Sequence, residues 1–295
     1  MTNPWIEAMR LRTLPLSLAG VVLSVGYIRL LGHINWLIIL ICVAFATLAQ
    51  IASNFANEYF DYKAGLDRPG RVGPRRGVTE GDISAAAMKR AILSTLVVAA
   101  ALGSILVFWG GLKILFAGIL IVFGALAYST GPFPLSRHGL GEVAVILFFG
   151  IAPVTLTFYL NCHYVDTYVW AGSIALGLMC ANVLLVNNIR DIYDDRAVGK
   201  NTIVTIFGRR FGSFLYLFNG WIAVWLMGSV WTWIGGLWLV VPSVYIVLHT
   251  LLWYRVDILS RLAVKQPEQG FRLNPMLGMT AILTAVYSFL FAIAA

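Results

Sequence analysis

Charge is what this sequence has least of. Only 12% of its 295 residues are Asp, Glu, Lys or Arg, about half the share of a soluble domain, while 60% are hydrophobic and mean hydropathy is +0.83. That balance excludes a water-soluble globule, which lacks the polar side chains to cover its surface. The three cysteines, Cys42, Cys162 and Cys180, are odd in number and show no CxxC spacing, which excludes a disulfide framework and a thiolate zinc site. Four scattered histidines, His33, His138, His163 and His249, exclude a histidine-rich metal cluster. No A-x-A-like site follows the first apolar segment, which therefore reads as a retained helix.

Long apolar runs are abundant. Nine segments, near 14–31, 36–60, 91–110, 112–130, 141–161, 166–188, 213–233, 235–254 and 275–294, are each long enough to cross a hydrocarbon core about 30 Å thick. The sequence thus predicts an all-α polytopic membrane bundle of nine transmembrane helices, forming a single domain over residues 1–295. With the N-terminus cytoplasmic, every basic residue except Arg29 and Lys113 falls on the cytoplasmic side, as the Lys/Arg bias of membrane loops requires. The C-terminus is then outside. The net charge of +8 reports topology and calls for no nucleic-acid partner. Trp221, Trp225, Trp231, Trp233 and Trp238 on the seventh and eighth spans read as lipid-facing walls and interfacial belts.

Orientation accounts for the bases but not for the acids, which, Asp166 excepted, also lie at or near the cytoplasmic ends. Ionisable groups there are costly unless they have a use. In QIASNFANEYFDYKAGLD (50–67), Asn54, Asn57 and Asp61 are three and four residues apart and share one helical stripe. Gly65 suits a helix C-terminus, after which Asp67 can fold back toward the same volume. VNNIRDIYDDRAVG (186–199) repeats the arrangement with Asn188, Asp191, Asp195, Tyr193 for Tyr59 and Gly199 for Gly65, at one offset of 134 residues (54 to 188, 61 to 195). The chain thus holds two pseudo-repeats, with motifs at 54–67 and 187–202.

Four carboxylates brought together, Asp61, Asp67, Asp191 and Asp195, repel one another and need cations. Oxygen ligands without His or Cys select Mg²⁺ or Mn²⁺, and Mg²⁺ takes one or two carboxylates per ion plus substrate phosphates. The inferred ligand is a lipid diphosphate at the membrane surface. Lys63, Arg68, Arg71, Arg137, Arg190 and Lys200 supply further positive charge. Any one of these aspartates serves equally well as a helix cap or salt-bridge partner; the doubled set favours chemistry. The longest loop, 61–90, punctuated by Pro69, Gly70, Gly73, Pro74 and Gly77, reads as a solvated connector or as a basic flap over an anion. Glu142, just inside the fifth span, reads as a structural partner of Arg137.

On these residues the sequence resembles the UbiA-type superfamily of membrane-embedded aromatic prenyltransferases. It is most similar to the branch that prenylates 1,4-dihydroxy-2-naphthoate in menaquinone synthesis. The matching pieces are RLRTLP (10–15), SNFANEYFD (53–61), RVGPRRG (71–77), YSTGPFPL (128–135), GLGE (139–142), NNIRDI (187–192) and GKNT (199–202). The resemblance implies a nine-helix fold with a cytoplasmic-side active site in a bacterial cytoplasmic (inner) membrane. It implies that Asn57, Asp61, Asp67, Asp191 and Asp195 hold two Mg²⁺ ions and the diphosphate, assisted by Lys63, Arg68, Arg137 and Lys200. Asn54, Tyr128, Asn187, Asn188 and Arg190 would line the acceptor or diphosphate pocket. The reaction implied is transfer of a polyprenyl group from polyprenyl diphosphate to the naphthoate ring with loss of CO₂, giving demethylmenaquinone.

Two positions depart from the family pattern: Glu58 stands where Asp is common, and Asp194 is an extra acid beside Asp195. The alternatives are another aromatic acceptor, such as 4-hydroxybenzoate, homogentisate, haem or a chlorophyllide, and, from another class, a secondary transporter. Against the transporter, the two stripes lie at one membrane face in the same orientation, a parallel rather than an inverted repeat.

Overall fold

The computed structural model describes residues 3–67, 75–265 and 267–295. Arg68, Arg71 and the rest of 68–74 lie outside the described residues. Among those described the regular elements are all helical, joined by turns and loops, with an isolated bridge between His138 and Asn201. The helices are α1 (Pro4–Met9), α2 (Leu14–Leu31), α3 (Trp36–Lys63), α4 (Ala85–Ala127), α5 (Gly141–Val145), α6 (Ala152–Cys162), α7 (Thr167–Arg190), α8 (Ile192–Ala197), α9 (Ile203–Phe207), α10 (Arg209–Leu226), α11 (Gly228–Ile234), α12 (Val240–Lys265) and α13 (Asn274–Ala294). A π-helical stretch, Ile146–Ile151, joins α5 to α6 without interruption.

Among the described residues seven helical spans are long and apolar enough to cross a membrane, or eight when the bent pair α10 and α11, 45° apart, is counted as one. This is an integral membrane protein. The sequence expectation of two spans at 91–110 and 112–130 falls on one element, α4, whose helical backbone is broken at Gly111 (φ 65°, ψ −158°). Only glycine adopts such angles without strain, so the break is written into the sequence at that residue.

Helix starts follow local chemistry. Asn35 caps α3 by accepting from the N–H groups of Leu37 and Ile38, Ser84 caps α4 through Ala87 N–H, and Asp166 caps α7 through Tyr168 N–H. Each satisfies a donor that has no partner within its helix. The most enclosed span is α7, with 72% of its apolar window buried, against 17% for α4. It packs on α10, α13, α2 and the π-helical stretch, so it runs through the middle of the bundle while α4 lies at the periphery.

The core between α2, α6, α7, α11 and α13 is aromatic, holding Tyr27, Phe158, Trp231, Tyr287 and Phe291. Trp231 corrects the reading of the tryptophans as lipid-facing. It is 1% exposed and its indole N–H donates to Tyr287 Oη at 2.6 Å, whereas Trp221, Trp225, Trp233 and Trp238 are exposed. An indole goes inside when its one donor finds a partner.

Candidate active site

A large cavity of about 1870 Å³ penetrates the bundle. Its deep wall is apolar, with Val21, Phe45, Leu106, Ile114, Phe148 and Leu156 among its residues; its mouth is polar and charged. Both acidic stretches reach it. Asn54, Asn57, Asp61 and Asp67 line it from the end of α3, and Asn187, Asn188, Arg190, Asp194, Asp195 and Lys200 from the end of α7 and from α8. Tyr128 and Glu142 complete the lining between them.

The first stretch behaves as its spacing predicts. α3 runs unbroken to Lys63, Ala64 caps it, and Gly65 takes the left-handed conformation (φ 69°) that turns the chain toward Asp67. A Cβ on Gly65 would meet nothing within 4 Å, so backbone angle, not space, is what demands glycine there. Asn57 Oδ1 accepts from Arg10 Nη2 at 2.7 Å and from Arg76 Nη2 at 3.2 Å, while its Nδ2 donates to Ser129 Oγ at 3.1 Å. Arg76 also stands 3.3 Å from Asp67 and 4.0 Å from both Asp61 and Glu58. One guanidinium is thereby set among three carboxylates, of which Glu58 is fully buried. Asn54 is turned to the N-terminal segment, donating to Met9 O at 2.9 Å.

The second stretch is not a single stripe. α7 stops at Arg190, Asp191 is its cap, and α8 starts afresh at Ile192. Asp191 is 2% exposed and gripped by its neighbour: Arg190 Nε lies 2.6 Å from Asp191 Oδ1 and Nη2 2.8 Å from Oδ2. Arg190 is held in turn by Asn187 Oδ1 at 2.7 Å and Asn274 Oδ1 at 2.8 Å. Asp191 is therefore behind the cavity wall, and Asp194 and Asp195 face the cavity instead. Lys200 reaches back to Asp195 at 3.2 Å after Gly199, which has the same φ of 69° as Gly65.

Of the expected phosphate-binding residues, Arg68 lies outside the described residues. Lys63 is exposed and does not line the cavity; it borders a recess of about 180 Å³ shared with Arg137. Arg137 bridges to Asp61 at 3.5 Å and donates to Ser129 O at 3.1 Å. The pairing of Arg137 with Glu142 read from sequence is not formed. The Arg137 loop is tied to the second motif through Asn201, which exchanges backbone hydrogen bonds with Arg137 O and Gly139 N–H. Tyr128 is half-buried; desolvation, then the charges of Glu142 and Asp61, push its phenol up, which keeps it a neutral donor.

Arg10, Arg76 and Asn274 were not among the residues singled out from sequence. The signals for Arg76 and Arg10 were present in the basic flap and in RLRTLP (10–15); nothing in the local pattern marks Asn274, which arrives at the site from a distant segment.

Among the described residues no three His, Cys, Asp or Glu side chains converge tightly enough to hold one ion by themselves. The chemistry of the donor set nonetheless fits a hard divalent cation shared with a substrate phosphate. The mouth offers carboxylate and carboxamide oxygens, and the cavity cysteines Cys42 and Cys180 belong to the apolar core.

The chain is 38% identical over 213 residues to the 1,4-dihydroxy-2-naphthoate octaprenyltransferase of Escherichia coli, covering 70% of this chain and 69% of that one. It is 37% identical over 212 residues to the protein of the same name from Haemophilus influenzae, covering 69% of each. A UbiA homologue from Archaeoglobus fulgidus, solved bound to DMAPP and Mg²⁺, shares the fold with a TM-score of 0.68 over 98% of this chain and 99% of that chain, at 14% identity. Since the profile of the UbiA prenyltransferase family also matches residues 14–274, both acidic stretches included, the chain belongs to that family.

Proposed function

We infer that this protein transfers a polyprenyl group from polyprenyl diphosphate to the ring of 1,4-dihydroxy-2-naphthoate, with loss of CO₂, giving demethylmenaquinol, the reduced form of demethylmenaquinone. The observation that carries the reading is the cavity itself: two acid-and-amide stretches line one cavity whose remaining walls are largely apolar and whose volume suits a hydrocarbon chain. The curated relatives supply the acceptor.

On this reading Asn57, Asp61 and Asp67 on one wall and Asp194 and Asp195 on the other hold Mg²⁺, with Asp191 supporting them through Arg190. Bound there with the diphosphate, Mg²⁺ supplies electrostatic stabilisation of the leaving group. The chain's own cations do the same work from the protein side. Arg10, Arg76, Arg137 and Lys200 neutralise charge that grows on the diphosphate as the allylic C–O bond lengthens. Arg76, seated among the carboxylates, exchanges those partners for phosphate oxygens. The apolar interior holds the polyprenyl tail and keeps water from the allylic cation.

The active site faces the cytoplasm of a bacterium across its inner membrane, with the N-terminus inside and the C-terminus outside. In support, Arg29, at the far end of the bundle, donates to the carbonyls of Ala292 and Ile293, while the cations of the mouth gather at the opposite end. The number of crossings is nine: α4, at 43 residues, spans about 64 Å as helix, twice the hydrocarbon thickness, and divides at Gly111. The whole chain is one domain of two pseudo-repeats.

The test is prenyl transfer by purified, detergent-solubilised protein offered a polyprenyl diphosphate with 1,4-dihydroxy-2-naphthoate or 4-hydroxybenzoate, with Mg²⁺ and with EDTA. Metal-dependent product and CO₂ from the naphthoate alone is expected. Product from the benzoate alone overturns the acceptor assignment, and no product from either overturns prenyl transfer.

A further inference from the structure

Glu142 is an acid that the diphosphate machinery leaves unused. It lies in the first turn of α5, lines the cavity, and is 4% exposed. Asn188 Nδ2 donates to its Oε1 at 2.8 Å, while its Oε2 is buried with no hydrogen-bond partner. No ion pair joins it to a described residue, since Arg137 is taken up by Asp61 and Ser129.

The position is enforced by close helix packing. A Cβ on Gly150 would stand 2.4 Å from Ser173 O, one on Gly177 2.9 Å from Ile146 Cα, and one on Gly141 3.1 Å from Leu184. These contacts advance in opposite directions along the two segments, so α5 with its π-helical extension runs antiparallel to α7 in a fixed register. That register delivers Glu142 to Asn188. The inserted residue of a π-helix is a frequent mark of a functional site. The Tyr128 hydroxyl lies alongside, 3.8 Å from where a Cβ of Gly141 would be. A buried carboxyl with one oxygen unpartnered, beside a phenol and an amide at the wall of a ligand cavity, is arranged to receive a hydroxyl from a ligand.

We propose that Glu142 is the proton carrier for the aromatic acceptor: its Oε2 takes the proton of a ring hydroxyl, with Asn188 fixing the carboxylate through Oε1. The proposal rests on the prenyl-transfer reading. The acceptor O–H bond breaks and its proton passes to Glu142; the electron pair left on oxygen enters the ring. The ring carbon that bears the carboxylate, ortho to that hydroxyl, forms a bond to the allylic carbon, while the allylic C–O bond breaks and leaves its pair on the diphosphate. The bond to the carboxylate then breaks, CO₂ departs, the released pair restores the aromatic ring, and Glu142 returns its proton to the oxygen. Glu142 ends as it began.

The experiment compares wild type, Glu142→Gln and Glu142→Asp in detergent. It measures prenyl diphosphate affinity by calorimetry with Mg²⁺, thermal unfolding, and kcat and KM for the naphthoate. Positioned proton transfer contributes about 10²–10⁴-fold, so Glu142→Gln is expected to lose at least about thirtyfold in kcat. Its prenyl diphosphate affinity and unfolding temperature should stay at wild-type values, and Glu142→Asp should recover part of the rate. A smaller loss in Glu142→Gln overturns the proposal, as does loss of diphosphate binding or of folding in both variants, which makes Glu142 structural. Failure of the prenyl-transfer reading shows separately, as wild type that turns over no aromatic acceptor; if it prefers a different acceptor, the same comparison is run on that one.

Discussion

Glu58 Oε1 accepts the backbone N–H of Val78 at 3.1 Å, across twenty residues of chain. Glu58 is 1% exposed and sits one helical step from Asn57, so it faces away from the stripe that lines the cavity. Its longer side chain reaches the returning loop and holds the segment from which Arg76 enters the mouth. Glu58 is thus an anchor for the loop. Glu58→Ala is expected to weaken prenyl diphosphate binding about tenfold, the worth of one charged hydrogen bond of about 1.4 kcal/mol. Calorimetry that finds affinity unchanged removes the anchor from the account.

The two acidic stretches should fail differently when cut. Asp61, on the cavity wall with a partly exposed side chain, is expected to lose turnover on change to Ala with little shift in unfolding temperature. Asp191, buried against Arg190, should lose turnover and also about 3–5 kcal/mol of stability, because its removal leaves an uncompensated buried guanidinium. Equal unfolding temperatures for the two variants would contradict the placement of Asp191 behind the wall.

Arg137→Ala separates clamp from scaffold. Its partners are Asp61, which lines the cavity, and the carbonyl of Ser129, which borders the adjoining recess, so KM for prenyl diphosphate should rise about tenfold or more while KM for the acceptor holds. Charge-assisted contacts of this kind are worth roughly 1.5–3 kcal/mol. A change confined to the acceptor KM would move Arg137 to the other end of the cavity.

Gly150→Ala tests the packing that sets Glu142 and Asn188 face to face. The added methyl would lie 2.4 Å from Ser173 O and 2.5 Å from the backbone of Gly177, so α5 and α7 must part. Overpacking of this kind costs about 1–3 kcal/mol, and a thermal melt should show it. Wild-type stability and turnover together would mean that the pair tolerates a looser register.

Much of the site could be read along the chain because helical spacing is a local rule. Asn54, Asn57 and Asp61 fell on one wall as their intervals required, and Gly65 turned the chain as its missing side chain permits. The same rule misled at Asp191, where α7 ends and the register restarts, so that Asp194 came forward in its place. Asn274 had no local signature, since its role comes from a contact 84 residues away, and RLRTLP did not disclose that Arg10 meets Asn57, 47 residues on. The reading of Trp231 as lipid-facing failed for a related reason, the hydrogen-bond partner being Tyr287, 56 residues on.

By itself the sequence determined that the chain is helical and membrane-embedded and that two acidic stretches stand at the ends of two spans, because hydropathy, length and the 3.6-residue period act within a few turns of backbone. Tertiary structure decided which acids reach the cavity, which arginine neutralises which carboxylate, and that Glu142 is left with an unspent oxygen. Those outcomes depend on how whole helices settle against one another at points such as Gly150 and Gly177, where the absence of a side chain lets two backbones meet.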